Sequence, residues 1–85
     1  MAQLQDARLE SAQLEGAYLA QAQLQGAFLE GAQLEGAYLV RAQLSGADLR
    51  NAQGLERSQL LAGSWDPSLP PLLDENRQSW TRSEA

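Results

Sequence analysis

Eighty-five residues leave room for one domain with a thin core, and the absence of both histidine and cysteine excludes disulfides, thiolate metal sites and every Ser-His or Cys-His nucleophile pair. A net charge of −5 argues against a nucleic-acid backbone or an anionic membrane as partner, because both attract basic patches. The start MAQLQDARLE has no basic-then-apolar leader pattern and no run is long enough to span a bilayer, so the expectation is a soluble cytoplasmic protein without a cofactor.

The first element, residues 1–53, is an internal repeat. Leucine stands at Leu4, Leu9, Leu14, Leu19, Leu24, Leu29, Leu34, Leu39, Leu44 and Leu49, and alanine stands two residues earlier each time, from Ala2 onward. A period of five fits neither standard element. On an α-helix each step of five turns about 500°, so the leucines would scatter around the cylinder. On a flat strand an odd spacing sends alternate leucines to opposite faces. Ala and Leu two apart do share one face of an extended segment. The chain therefore winds, with short extended sides separated by corners and both residues inside.

Outward positions give the number of sides. With four sides a coil is twenty residues, and the residues before each leucine stack as Gln3, Gln23 and Gln43; Gln13, Gln33 and Gln53; and Tyr18 with Tyr38. Three sides would break this order, and two would leave no interior. Residues 1–53 then make about two and a half coils spaced about 4.8 Å apart. The corner position holds Gly16, Gly26, Gly31, Gly36, Gly46, Asp6 or Asn51, residues that tolerate positive φ. Gln21 and Arg41 share one corner column without that tolerance, which predicts a different turn there.

The unbroken A-x-L-x-x tandem, as in AQLEGAYLAQAQLQGAFLEGAQLEGAYL, resembles the pentapeptide repeat protein family over residues 2–53. The resemblance implies an all-β fold, a right-handed quadrilateral β-helix (a β-solenoid) with the leucines and alanines stacked inside. Family members often carry Asp or Asn before the leucine. Only Asp48 does so here, and glutamine dominates.

The second element, residues 54–85, departs from the repeat at Gly54, with Leu55 one residue late. ERSQLLAG over 56–63 reads as a short helix with Gly63 as its stop, and the Pro-containing stretch after it as extended, with a second short helix near 73–81. This resembles the usual exit from pentapeptide repeats, where a helix closes the last coil. Leu60, Leu61, Trp65, Leu69 and Leu72 are the expected plug. At the other end Met1 leads into Ala2 and Leu4 in full register. That predicts an open first coil that stacks on a second copy or another protein, or a chain that belongs to something longer.

No constellation demands catalysis. Glu10 over Glu30 and Glu15 over Glu35 read as a solvated acidic face, with Arg50 relieving the first pair, and Arg8 over Phe28 reads as a cation–π contact. The least polar outward side carries Tyr18, Ala20, Tyr38 and Val40, with Arg41 at its corner. It is the expected interaction face unless the tail, including Trp80, folds over it. The reading is a non-enzymatic structural or interaction module that presents flat faces to a protein partner. The alternative, from relatives that inhibit gyrase and confer quinolone resistance, is a DNA-mimic modulator of a topoisomerase. Six acidic against three basic residues in the repeat and so short a stack make a poor duplex mimic.

The buried column has a direct test. Leu24→Ala should cost about 2 to 5 kcal/mol and unfold so thin a rod, and a melting temperature equal to that of the parent protein would contradict it.

Overall fold

The computed structural model describes residues 2–81. Met1 and the end of the tail, residues 82–85, lie outside them. Each side of the winding pairs with the next coil through a single parallel bridge, Gln3 with Gln23, Arg8 with Phe28, Gln13 with Gln33 and Tyr18 with Tyr38. The offset is 23 − 3 = 20 residues, and it recurs in Gln23–Gln43, Phe28–Asp48 and Gln33–Gln53. Among the described residues the sides hold these isolated bridges rather than strands, and the only helices are α1 (Arg57–Leu61) and a 3-10 helix (Glu75–Thr81). The expected contact between coils is present as isolated parallel bridges, while the strands and sheet of the all-β expectation are not formed among the described residues. Five-residue units leave too little chain between corners for a longer strand.

The bridges rest on a repeating set of backbone bonds. Leu24 N donates to Gln43 O at 2.9 Å, Gln43 N to Ala22 O at 2.9 Å, and Gly26 N to Ser45 O at 3.0 Å. Within each unit the chain turns on a bond from the next alanine to the leucine, such as Ala27 N to Leu24 O at 3.0 Å. In that four-residue turn the third residue has positive φ, as a type II turn requires. Gly26 has φ 70° and Gly36 φ 68°.

The corner at Gln21 and Arg41 corrects the sequence expectation. Gln21 has φ 62° and Arg41 φ 61°, so this side turns like the others. Asp6, Ser11 and Asn51 do the same at 59°, 61° and 60°. The ladder holds them there: Gln21 N donates to Val40 O at 2.8 Å and Arg41 N to Ala62 O at 2.8 Å. Local preference against the left-handed region, of order 1 to 2 kcal/mol, is outweighed by bonds and packing on both flanks.

The core is the stacked Ala and Leu interior. Leu24, Leu29, Leu34, Leu44 and Leu49 are almost wholly buried, as are Ala22, Ala27, Ala32, Ala42, Ala47 and Ala52. Leu19 and Leu39 join them, while Leu4, Leu9 and Leu14 in the first coil are only half-buried. Each fully buried leucine contributes about 1.5 to 3 kcal/mol.

The tail continues the ladder rather than simply leaving it. Glu56 caps α1 reciprocally with Gln59, and α1 spans the end of the Tyr38 side, with the Gln59 amide donating to Leu34 O and Ala37 O. The chain then rejoins the stack at Ser64 over Gln43 and Leu72 over Asp48, offsets of 64 − 43 = 21 and 72 − 48 = 24. Arg77 donates to Ala52 O at 2.8 Å, and the Asp74 carboxylate accepts from Asn51 N. Gly63 is needed for clearance rather than as a left-handed stop. A Cβ there would meet Ala42 O at 3.3 Å and Leu44 Cδ1 at 2.5 Å.

The plug also differs from expectation. Leu60 is fully buried, but Leu61, Leu69 and Leu72 are about half exposed, and Leu55 and Leu73 take the buried places. Trp65 and Trp80 pack partly buried against the same core.

The corners yield a paired test. Nothing lies within 4 Å of a Cβ added at Gly16, so Gly16→Ala isolates the left-handed penalty and should destabilise by about 1 kcal/mol. Gln21→Gly should do the reverse and raise stability by up to about 1 kcal/mol. Urea unfolding of both variants checks the two signs.

Candidate functional site

Two outward columns carry the side chains of interest. The first is the Tyr18 side. Tyr18 and Tyr38 are bridged residues in adjacent coils, which brings their rings to 5.9 Å between centroids at an interplanar angle of 54°. That is a tilted aromatic pair. Tyr18 is 79% exposed, Tyr38 58% and Val40 50%, with Ala20 half-buried and Arg41 exposed at the corner. The described tail residues close the end of the stack instead of lying over this side. Trp80 does not join the tyrosines; it packs on the core beneath Arg77, whose guanidinium lies 5.4 Å from the ring centroid. The expected interaction residues thus form one contiguous patch, set on backbone pinned by Leu19 N to Tyr38 O and Tyr38 N to Ala17 O, both 2.9 Å.

The second column is Arg8, Phe28, Asp48 and Leu72. Arg8 lies 5.2 Å from the Phe28 ring centroid and bonds Glu10 through Nε at 3.1 Å. Asp48 is 5% exposed and takes the fork of Arg50, from Nε at 2.9 Å and Nη2 at 2.6 Å, with the Arg50 backbone N–H donating at 3.2 Å. The Arg50 guanidinium also reaches Glu30 at 3.6 Å. These side-chain bonds hold the Asp48 carboxyl below its usual range and outweigh its burial, which acts the other way. They raise the Arg50 pKa. Spacing assigned Arg50 to Glu30; its stronger partner is Asp48, two residues away on one side of a corner. The signal was present in the sequence as Asp48-x-Arg50, where residues i and i+2 of an extended segment share a face.

The Gln5 amide donates to Gln23 Oε1, and the Gln53 amide to Asn51 O at 2.9 Å, so amides are used at corners. Among the described residues no group of acidic side chains is arranged to hold a metal ion. A hollow of about 620 Å³ within the tail is lined by Trp65, Pro67, Pro70, Pro71, Leu72 and Gln78, among others, none of them ionisable. Nor is any helix of the described residues long and apolar enough to cross a membrane.

The geometry on which identity turns is the twenty-residue offset with alanine and leucine inward at every fifth position. The family model for pentapeptide repeats matches eight copies of the unit, over residues 2–39 and 17–53. The chain belongs to the pentapeptide repeat family. No curated protein matches it. As a pentapeptide repeat protein it departs from the A-D/N-L form, and the one aspartate that follows it, Asp48, is engaged by arginine.

That engagement predicts an acid-labile term. A carboxylate whose folded pKa is depressed stabilises the fold above its unfolded value, 3.8, and loses that contribution as pH falls through the folded value. Asp48→Asn should cost about 1 to 2 kcal/mol at neutral pH and much less at the acid end. Urea unfolding from pH 7 to the acid limit checks it, and an equal cost across the range would contradict it.

Proposed function

We propose that this pentapeptide repeat protein is a non-enzymatic interaction module, a right-handed quadrilateral β-helix whose flat Tyr18 side receives a protein partner. One observation carries the reading: Tyr18, Tyr38 and Val40 form an exposed, mostly apolar strip on rigid backbone. Tyrosine loses little conformational entropy on contact and supplies both area and a hydroxyl, which is why it is frequent in interfaces. The partner this strip suits offers aliphatic or proline side chains against the rings and a hydrogen-bond acceptor for the hydroxyls. The handedness and the solenoid class rest on the family resemblance, and the offsets of twenty residues support the four-sided winding.

A duplex mimic would need carboxylates free to stand in for phosphates. Of the six acidic residues in the repeat, Glu10, Glu30 and Asp48 are paired with Arg8 or Arg50. That leaves the DNA-mimic reading without support from the charged columns.

The test is a quantitative comparison of proteins retained by the parent chain and by Tyr18→Ser/Tyr38→Ser/Val40→Ser. These are surface positions, so each substitution should change stability by no more than about 0.5 kcal/mol. A partner held by the parent and lost by the triple variant supports the proposal. An identical retained set, with both proteins folded, would place any interface elsewhere.

A further inference from the structure

The corner between the Tyr18 side and the Gln23 side is unlike the others. The other corner columns contain glycine, at Gly26 and Gly46, at Gly31, and at Gly16 and Gly36, whereas this one holds Gln21 and Arg41 at φ 62° and 61°. Two long side chains are carried where glycine would be easier, and backbone strain of this kind gathers at functional positions. What they flank is a hollow of about 460 Å³, lined by Gln21, Gln23, Gln25, Arg41 and Gln43. Its floor is fixed by the bridge from Gln23 to Gln43, with Leu24 N donating to Gln43 O and Gln43 N to Ala22 O, both at 2.9 Å.

The lining is uneven in what it offers. Gln5 donates to Gln23 Oε1 and so leaves the Gln23 amide hydrogens for the hollow. Arg41 is exposed and enters none of the ion pairs among the described residues, which take Arg8, Arg50 and Arg77. No acidic and no apolar side chain lines the space. One acceptor stands alone: Gln25 Oε1 is buried and has no hydrogen-bond partner among the described residues.

We infer that this hollow receives an acidic side chain of an extended peptide segment, with the carboxylate on Arg41 and the flanking peptide groups on the glutamine amides. The guanidinium fork matches the two oxygens of a carboxylate. A phosphate fits less well, because it brings a charge of about −2 to a single arginine on a chain of net charge −5. Amides both donate and accept, so the four glutamines suit peptide N–H and C=O groups, and an N–H of the segment supplies Gln25 Oε1 with its donor once that amide turns toward the hollow. The volume also falls in the range of about 300 to 1,000 Å³ that holds drug-sized ligands, more than a lone carboxylate fills. The inference deepens the proposed function and rests on it: Arg41 follows Val40 in the chain, so a partner segment on the Tyr18 strip meets the hollow as it crosses the corner.

Nitrogen-edited NMR titration of the 85-residue chain tests this with three probes: acetyl-Gly-Glu-Gly-amide, acetyl-Gly-Gln-Gly-amide and acetate. The first should saturably move the Arg41 Nε–H and the side-chain amides of Gln21, Gln23, Gln25 and Gln43. The neutral peptide lacks the charge-assisted fork and acetate lacks the peptide groups, so each should bind at least about tenfold more weakly. Arg57, exposed on α1 and also outside the ion pairs, is the internal control, and its Nε–H should stay still. Arg41→Gly separates a role in the fold from a role in binding. Glycine is at ease at positive φ, so this variant should melt no lower than the parent yet lose affinity for the acidic peptide by about tenfold. No saturable shift at Arg41, equal shifts at Arg57, equal affinity in Arg41→Gly, or acetate held as tightly as the acidic peptide would overturn the inference. The probe is too short to need the tyrosines. Its failure beside a partner lost in Tyr18→Ser/Tyr38→Ser/Val40→Ser would therefore sink the hollow and leave the strip standing.

Discussion

The structure depends on one backbone constraint: every fifth residue must enter the left-handed region so that the chain can turn a corner and return beneath itself twenty residues later. Once it does, each coil offers its amides and carbonyls at the spacing that the next coil requires, as in Leu24 to Gln43 and Gln43 to Ala22. Glycine enters this region freely, and five corners use it in the repeat. Gln21 and Arg41 show the ladder's strength, because they are held at positive φ against their own preference. The leucine interior follows from the corner, since only a chain that winds can bring all ten leucines to one column.

That same constraint leaves the outward positions nearly free of structural duty. In the residue before each leucine the side chain points away from the core, so its identity can vary from Gln to Tyr, Phe, Arg or Asp without disturbing the winding. Columns form because residues twenty apart are stacked about one coil spacing, 4.8 Å, from each other. Tyr18 over Tyr38 and Arg8 over Phe28 are products of that stacking rather than of any pocket. Function on such a scaffold is written on its sides and ends, where neighbours in a column act together.

The repeat made most of the winding legible in the sequence, because periodic residues carry periodic consequences. The Ala and Leu columns and the tyrosine pair could be assigned from spacing alone. What spacing could not show is where a local preference yields to its surroundings, as at Gln21 and Arg41, whose corner turns like its neighbours. The cap was harder. Its offsets of 21 and 24 residues follow no period, so hydrophobicity alone pointed to Leu61, Leu69 and Leu72, while Leu55, before α1, and Leu73, where the chain has returned to the stack, are the residues buried. Asp48 could be read as a family-like position, yet its bond to Arg50 needed the geometry of a short extended side.

The offset itself is the claim on which the rest stands, and spin labels read it most directly. Labels placed at Glu15 and Glu35, exposed residues of one column, belong to adjacent coils whose backbones lie about 4.8 Å apart. Strong dipolar broadening from that pair is the predicted result. A separation near the 30 Å that twenty residues cover on an α-helix would contradict the winding.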